Sequence, residues 1–192
     1  MAVTISAIGI VFGTIFNTPL EVFLPYLASG LITWGLIAGI LNEGNQAFIV
    51  AEAMIKQLPL PKIVYVVRVV WRNIIVSAHN IVIMPVVILI FGGGVTWALL
   101  LWPLGVLLAV FALSGMAMIF GIVATRFRDL PQIISAALTV AFYITPVIWI
   151  KESLGDNELV ETIVSLNPLY HVLQVMRLPL ISQYPSLENW IW

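Results

Sequence analysis

The stretch NEGNQAFIVAEAMIKQLPLPK, Asn42–Lys62, is the longest polar break in an otherwise very apolar chain. It carries Glu43, Glu52, Lys56 and Lys62, and Arg68 and Arg72 follow closely. Phe48, Ala51, Ile55 and Leu58 recur at 3-4-3 spacing, which lays one apolar stripe along a helix. Leu58-Pro59-Leu60-Pro61 ends that helix, because proline has no N–H to donate and restricts the residue before it. The stretch therefore predicts a short amphipathic helix between two membrane spans, on the cytoplasmic side. Two uses of it stay open: it receives mechanical work from a partner, or it is a surface-lying connector with none.

The surroundings set the solvent. Of 192 residues, 61% are hydrophobic and only 9% charged, with a mean hydropathy of +1.10. Soluble domains carry about 25% charged residues, so lipid is the expected solvent. A net charge of -1 gives nucleic-acid binding no electrostatic support. With no cysteine there is no disulfide, thiolate metal site or cysteine nucleophile. His79 and His171 lie far apart and lack HExxH-type spacing, which disfavours zinc. The N-terminus has no basic region ahead of its apolar stretch, so no signal peptide is read.

Working outward, Ala2–Phe16 is apolar but short of the roughly 20 residues a span needs. Asn17-Thr18-Pro19 is a turn, and Val22–Leu41 a full span with Gly30, Gly35 and Gly39 along it. Those glycines read either as close-approach positions or as the general glycine enrichment of membrane helices. Arg68 and Arg72 interrupt Ile63–Val70, so the third span is placed at Asn73–Phe91, with a kink at Pro85. Gly92-Gly93-Gly94 is a turn, and Val95–Phe120 the fourth span. In the second charged loop, Thr125–Pro131, Asp129 is the expected N-cap of a fifth span, Gln132–Ile150. After the polar run Lys151–Glu161, Asn167-Pro168 opens a short helix. Leu169, Val172, Leu173 and Met176 line one side of it, His171, Gln174 and Arg177 the other, and Pro179 ends it. Trp190-Ile191-Trp192 resembles an interface anchor.

Lys56, Lys62, Arg68 and Arg72 fall between spans two and three, Arg126 and Arg128 between four and five. By parity both clusters lie on one side, and the positive-inside rule makes that side cytoplasmic.

Catalytic text is missing. There is no GxxxxGK[ST] phosphate loop and no GxSxG elbow. No carboxylate lies inside a span, where a proton relay would need one. If the protein pumps, another subunit supplies the energy. His79 and Asn80 sit within span three and either make an interhelical hydrogen bond or line a polar path. Trp71, Trp97, Trp102, Trp149 and Trp190 fit an aromatic belt. Phe12, Phe16, Tyr26, Trp34, Phe142 and Tyr143 read either as packed or lipid-facing aromatics or as a low-charge path suited to the C–H faces of sugars.

FRDLPQIISAALTVAFYITPVIW (Phe127–Trp149) and LNPLYHVLQVMRLPL (Leu166–Leu180) resemble the permease subunits of type 2 ABC exporters. The nearest branch is the one that exports lipid-linked O-antigen, as in lipopolysaccharide biosynthesis. AVTISAIGIVFG (Ala2–Gly13), YLASGLITW (Tyr26–Trp34), NEGNQAF (Asn42–Phe48), IKQLPLPKIVYVVRVVWRN (Ile55–Asn73) and His79-Asn80 agree, so the likeness covers essentially the whole chain.

The resemblance implies an all-α polytopic protein of one transmembrane domain over residues 1–192, with about five spans here and six in the family. It implies a homodimer of permeases in the bacterial cytoplasmic (inner) membrane, in contact with membrane lipid and two ATPase subunits. An undecaprenyl-diphosphate-linked glycan is the implied cargo. ATP and Mg²⁺ would belong to the ATPase, leaving no cofactor in this chain. The coupling helix would lie in Asn42–Pro61, making Glu43, Phe48, Glu52 and Ile55 coupling candidates together with Arg126, Arg128 and Asp129. Lys151–Leu180 would form short helices gating the external mouth, with Asn167, Pro168, His171 and Arg177 as gate residues. Family members carry an N-terminal amphipathic helix before the position of Met1 and a sixth span after that of Trp192, so the chain reads as the interior of a permease. Teichoic acid, capsular polymer or a drug as cargo, and a non-transporting membrane fragment, remain alternatives.

Overall fold

A computed structural model describes residues 1–15, 18–58, 60–91, 96–150 and 158–191. Those residues form helices and connections, with no strand among them. In order they are α1 (Ala2–Ile15), α2 (Leu20–Gly44), α3 (Ala47–Val50), α4 (Glu52–Gln57), α5 (Ile63–Ile81) and α6 (Ile83–Phe91). A 3-10 turn (Trp97–Leu101) leads into α7 (Trp102–Arg126), then come α8 (Leu130–Ile144), α9 (Glu158–Ser165), α10 (Pro168–Leu180) and α11 (Leu187–Ile191). Three helical runs are long and apolar enough to cross a membrane: α2, Ile63–Phe91 and Trp97–Arg126. The helices α1 and α8 are apolar but shorter. The all-α, polytopic reading holds, with an apolar helix in each of the five expected places.

Several boundaries move, each for a local reason. The third span opens at Ile63 rather than Asn73. Arg68 and Arg72 do not interrupt it, because both side chains are exposed along the open cleft beside α3 and α4, where long stems carry their charges to water. Its break comes at Val82, where Pro85 has no N–H for the carbonyl of Ile81. The fourth span continues past Phe120 to Arg126, since no proline intervenes. The fifth stops at Ile144, well short of Ile150. Thr145 takes the extended conformation, ψ 133°, that a following proline imposes. Fifteen residues rise about 22 Å, less than the roughly 30 Å of bilayer hydrocarbon. Beyond it, Thr145, Pro146 and Val147 fold inward and are buried. Asp129 occupies the N-cap position of α8 but makes no side-chain cap hydrogen bond, because its own backbone is helical. The triglycine turn and Lys151–Asn157 fall outside the described residues.

The core forms around α2. It packs against α1, α5, α6, α7, α8 and α10. Two thirds of its apolar window is buried, against 11% and 22% for the two other long runs. Gly30 and Gly39 permit this: a Cβ at Gly30 would meet the Val147 carbonyl oxygen at 2.8 Å, and one at Gly39 would collide with the Asn73 amide. Gly35 faces outward and has only the Met1 methyl group near it. The close-approach reading therefore applies to two of the three glycines.

Candidate functional site

The end of the bundle expected to face the cytoplasm is built where α2 stops. The predicted amphipathic helix is two short helices, α3 and α4, with Ala51 between them at φ -88°, ψ 7°. Leu58 is extended and ends the second one, as the residue before Pro59 should be. Phe48 turns inward, 6% exposed, with its ring over Gly121 of α7. Ala51 and Ile55 are half-buried beside it, while Leu58, expected on the same stripe, is exposed. The outward face instead presents Val50, 80% exposed, and Met54, 45% exposed. Val50 borders a shallow groove with Ala53, Lys56 and Gln57, and Met54 lines the neighbouring cleft toward α5.

Charge ties this element to its neighbours. Glu52 accepts from Lys56 Nζ at 2.8 Å and, across the two charged loops, from Arg128 Nη2 at 3.4 Å. The lysine first and the arginine second hold the Glu52 carboxyl below its ordinary value. Glu43 pairs with Arg72 and accepts from Asn73 Nδ2 at 2.7 Å. Of the coupling candidates, Glu43, Phe48, Glu52, Ile55 and Arg128 thus lie on one end of the bundle, in contact with or beside α5 and α7. Arg126, the last residue of α7, and Asp129 in the loop after it are exposed and make no ion pair among the described residues. The sequence reading passed over Asn73, which is 8% exposed. Its signal was a lone amide in an apolar run.

The other end is closed by α10 and the inward turn after α8. Asn167 caps α10, accepting from Leu169 N–H at 3.0 Å, and Pro168 occupies the first turn. Pro179 does not end the helix: it lies in the final turn, and the chain leaves through Ser182 at φ 64°. The polar side of α10 faces inward. Arg177 is fully buried, donates from Nη2 to the Pro146 carbonyl at 2.6 Å and lies 4.2 Å from the centre of the Tyr26 ring. The Tyr26 hydroxyl reaches the Pro146 and Trp149 carbonyls, both at 3.0 Å. Asn167 Nδ2 donates to Thr145 Oγ1 at 2.8 Å. The buried His171 ring bridges Ser165 O at 2.7 Å and Asn189 Oδ1 at 2.9 Å, joining α9, α10 and α11. All four gate candidates are therefore in one assembly. Its carbonyl acceptors, on a turn that read as part of a span, had no sequence signal.

The six path candidates divide. Trp34 stacks 5.7 Å from Phe142, and Phe142 5.4 Å from Tyr143, making an aromatic chain from α2 to α8. Tyr26 belongs to the external assembly, Phe12 packs on the core from α1, and Phe16 falls outside the described residues. His79 is exposed and Asn80 partly so, and neither makes an interhelical hydrogen bond among the described residues, contrary to one of the two readings. Trp71 and Trp97 stand out from the bundle, 63% and 81% exposed.

Fold and site together define a multi-pass helical membrane protein with a charged element at one end and a polar helical cap at the other. Among the described residues no cluster could hold a metal ion. Residues 1–181 match the ABC-2 type transporter family, and the chain belongs to it. It is 24% identical to the O-antigen export system permease protein RfbA of Myxococcus xanthus over 77% of this chain and 57% of that one. It is 25% identical to the protein of the same name from Klebsiella pneumoniae, over 81% and 61%. The chain spans about three fifths of the length of these curated relatives.

Proposed function

We propose that this chain is the permease part of an exporter that carries a lipid-linked glycan of O-antigen type outward across a bacterial cytoplasmic membrane. In this reading a separate ATPase docks on the α3–α4 element, and a second permease copy completes the path. The observation that carries it is the outward groove at Val50, Ala53 and Lys56, backed by Phe48 against Gly121, with Glu52 on its rim reaching Arg128. An element exposed on one face and locked on the other transmits a push to α2, α5 and α7. The exposed polar pair His79 and Asn80 also fits a second copy, since polar groups at membrane depth face protein or water rather than lipid. The names of the relatives favour a glycan over a drug.

The test is deletion of the reading frame in its source, followed by complementation. Loss of surface glycan, build-up of its lipid-linked form inside, and failure of a Val50→Asp, Met54→Asp variant to restore export would support the proposal. Normal surface glycan with altered drug resistance would overturn it.

A further inference from the structure

We propose that the cleft between α3–α4 and the cytoplasmic half of α5 binds the phosphate of an anionic lipid headgroup. The cleft has a volume of about 480 Å³ and is lined by Glu43, Gln46, Met54, Tyr65, Arg68 and Arg72. Tyr65, Arg68 and Arg72 follow at intervals of three and four residues, so they share one stripe of α5. Two guanidinium groups face one carboxylate, and the carboxylate is occupied: Glu43 is held by Arg72 and by Asn73 at 2.7 Å. Arg68 is exposed and makes no ion pair among the described residues. At the buried wall stands Tyr65, 5% exposed, whose hydroxyl has no hydrogen-bond partner among the described residues. A buried hydroxyl normally finds one. A free guanidinium beside an orphaned hydroxyl is a donor set for a phosphate oxygen.

The surroundings select a lipid as its source. Ile63, Val67 and Trp71 lie on the same turns of α5, each more than half exposed. The cleft therefore opens beside a lipid-facing surface with a tryptophan at interface level. The basic side of the protein faces the leaflet in which anionic lipids attract such residues. This depends on the orientation of the spans, not on the cargo.

The test is native mass spectrometry of the purified full chain with phosphatidylglycerol, phosphatidylcholine or inorganic phosphate. Circular dichroism would establish that each variant is folded. The expected result is retention of phosphatidylglycerol over phosphatidylcholine, weakened roughly fivefold by Arg68→Gln and less by Tyr65→Phe. Lys62→Gln, on the far side of α4, would leave it unchanged. Equal retention of both lipids, no effect of Arg68→Gln, or an equal effect of Lys62→Gln would overturn the proposal. Displacement of the lipid by millimolar phosphate would keep the phosphate chemistry and refute the lipid source.

Discussion

Consider Gly30→Ala. The added methyl would lie 2.8 Å from the Val147 carbonyl oxygen and 3.6 Å from the Val147 Cγ1. Backbone cannot swing away as a side-chain tip can, so the turn after α8 must retreat by roughly half an ångström. The neighbouring Pro146 carbonyl is held by Tyr26 at 3.0 Å and Arg177 at 2.6 Å. A retreat of that size takes the tyrosine bond to the edge of useful geometry. Overpacking of this kind costs about 1–3 kcal/mol, and about 2–4 °C is lost per kcal/mol in a chain of this size. The expected fall in apparent melting temperature, read by thermal unfolding in detergent or nanodiscs, is therefore about 2–12 °C. Gly35→Ala supplies the control, since its methyl would meet only the Met1 side-chain end, at 3.4 Å, and should move the midpoint by no more than about 1–2 °C. Equal effects of the two substitutions, or none from Gly30→Ala, would refute the claim that the turn rests on α2.

Phe48→Ala should destabilise the protein by about 3–5 kcal/mol, the cost of emptying a ring's place in a core. Met54→Ala should leave the melting midpoint nearly unchanged while weakening capture of the cognate ATPase in a pull-down. The Glu52 carboxyl is held below its ordinary value of 4.5, so its contribution is complete above that value and is lost as pH falls through the lower, folded value. Amide exchange across α4 should accelerate there in the wild type, and Glu52→Gln should exchange faster already at neutral pH with no such step. Because the chain has no cysteine, single substitutions at Lys62 and Ser186 should react with an impermeant maleimide from opposite sides of the membrane. Labelling from one side would refute the topology.

What was readable in the sequence follows from physics at short range. Hydropathy located the apolar helices, and Asn167-Pro168 announced its helix because cap chemistry is local. The lengths of those helices were less legible. Arg68 and Arg72 looked like interruptions, but both lie along an open cleft, and Pro146 looked like a residue inside a span. The 3-4-3 stripe at Phe48 was real over its first three positions, but periodicity does not tell which face turns to the bundle and which to a partner. The external assembly was least visible. Its acceptors are backbone carbonyls of Pro146 and Trp149, and every residue type carries a carbonyl.

The central position of α2 bears on how the chain is made. It leaves the ribosome directly after α1, while α7, α8 and α10 follow some eighty to one hundred and fifty residues later. During that interval α1, α5 and α6 can cover only part of its buried face. Ser29 is prepared for the wait: its hydroxyl contacts the carbonyl oxygens of Pro25 at 2.8 Å and Tyr26 at 2.9 Å within its own helix. A hydroxyl satisfied by its own backbone can sit in lipid until its neighbours arrive. Tyr26 must wait for the last third of the chain to supply its carbonyl partners. Closure of the Tyr26 end therefore comes only after α2, α5 and α7 have been made.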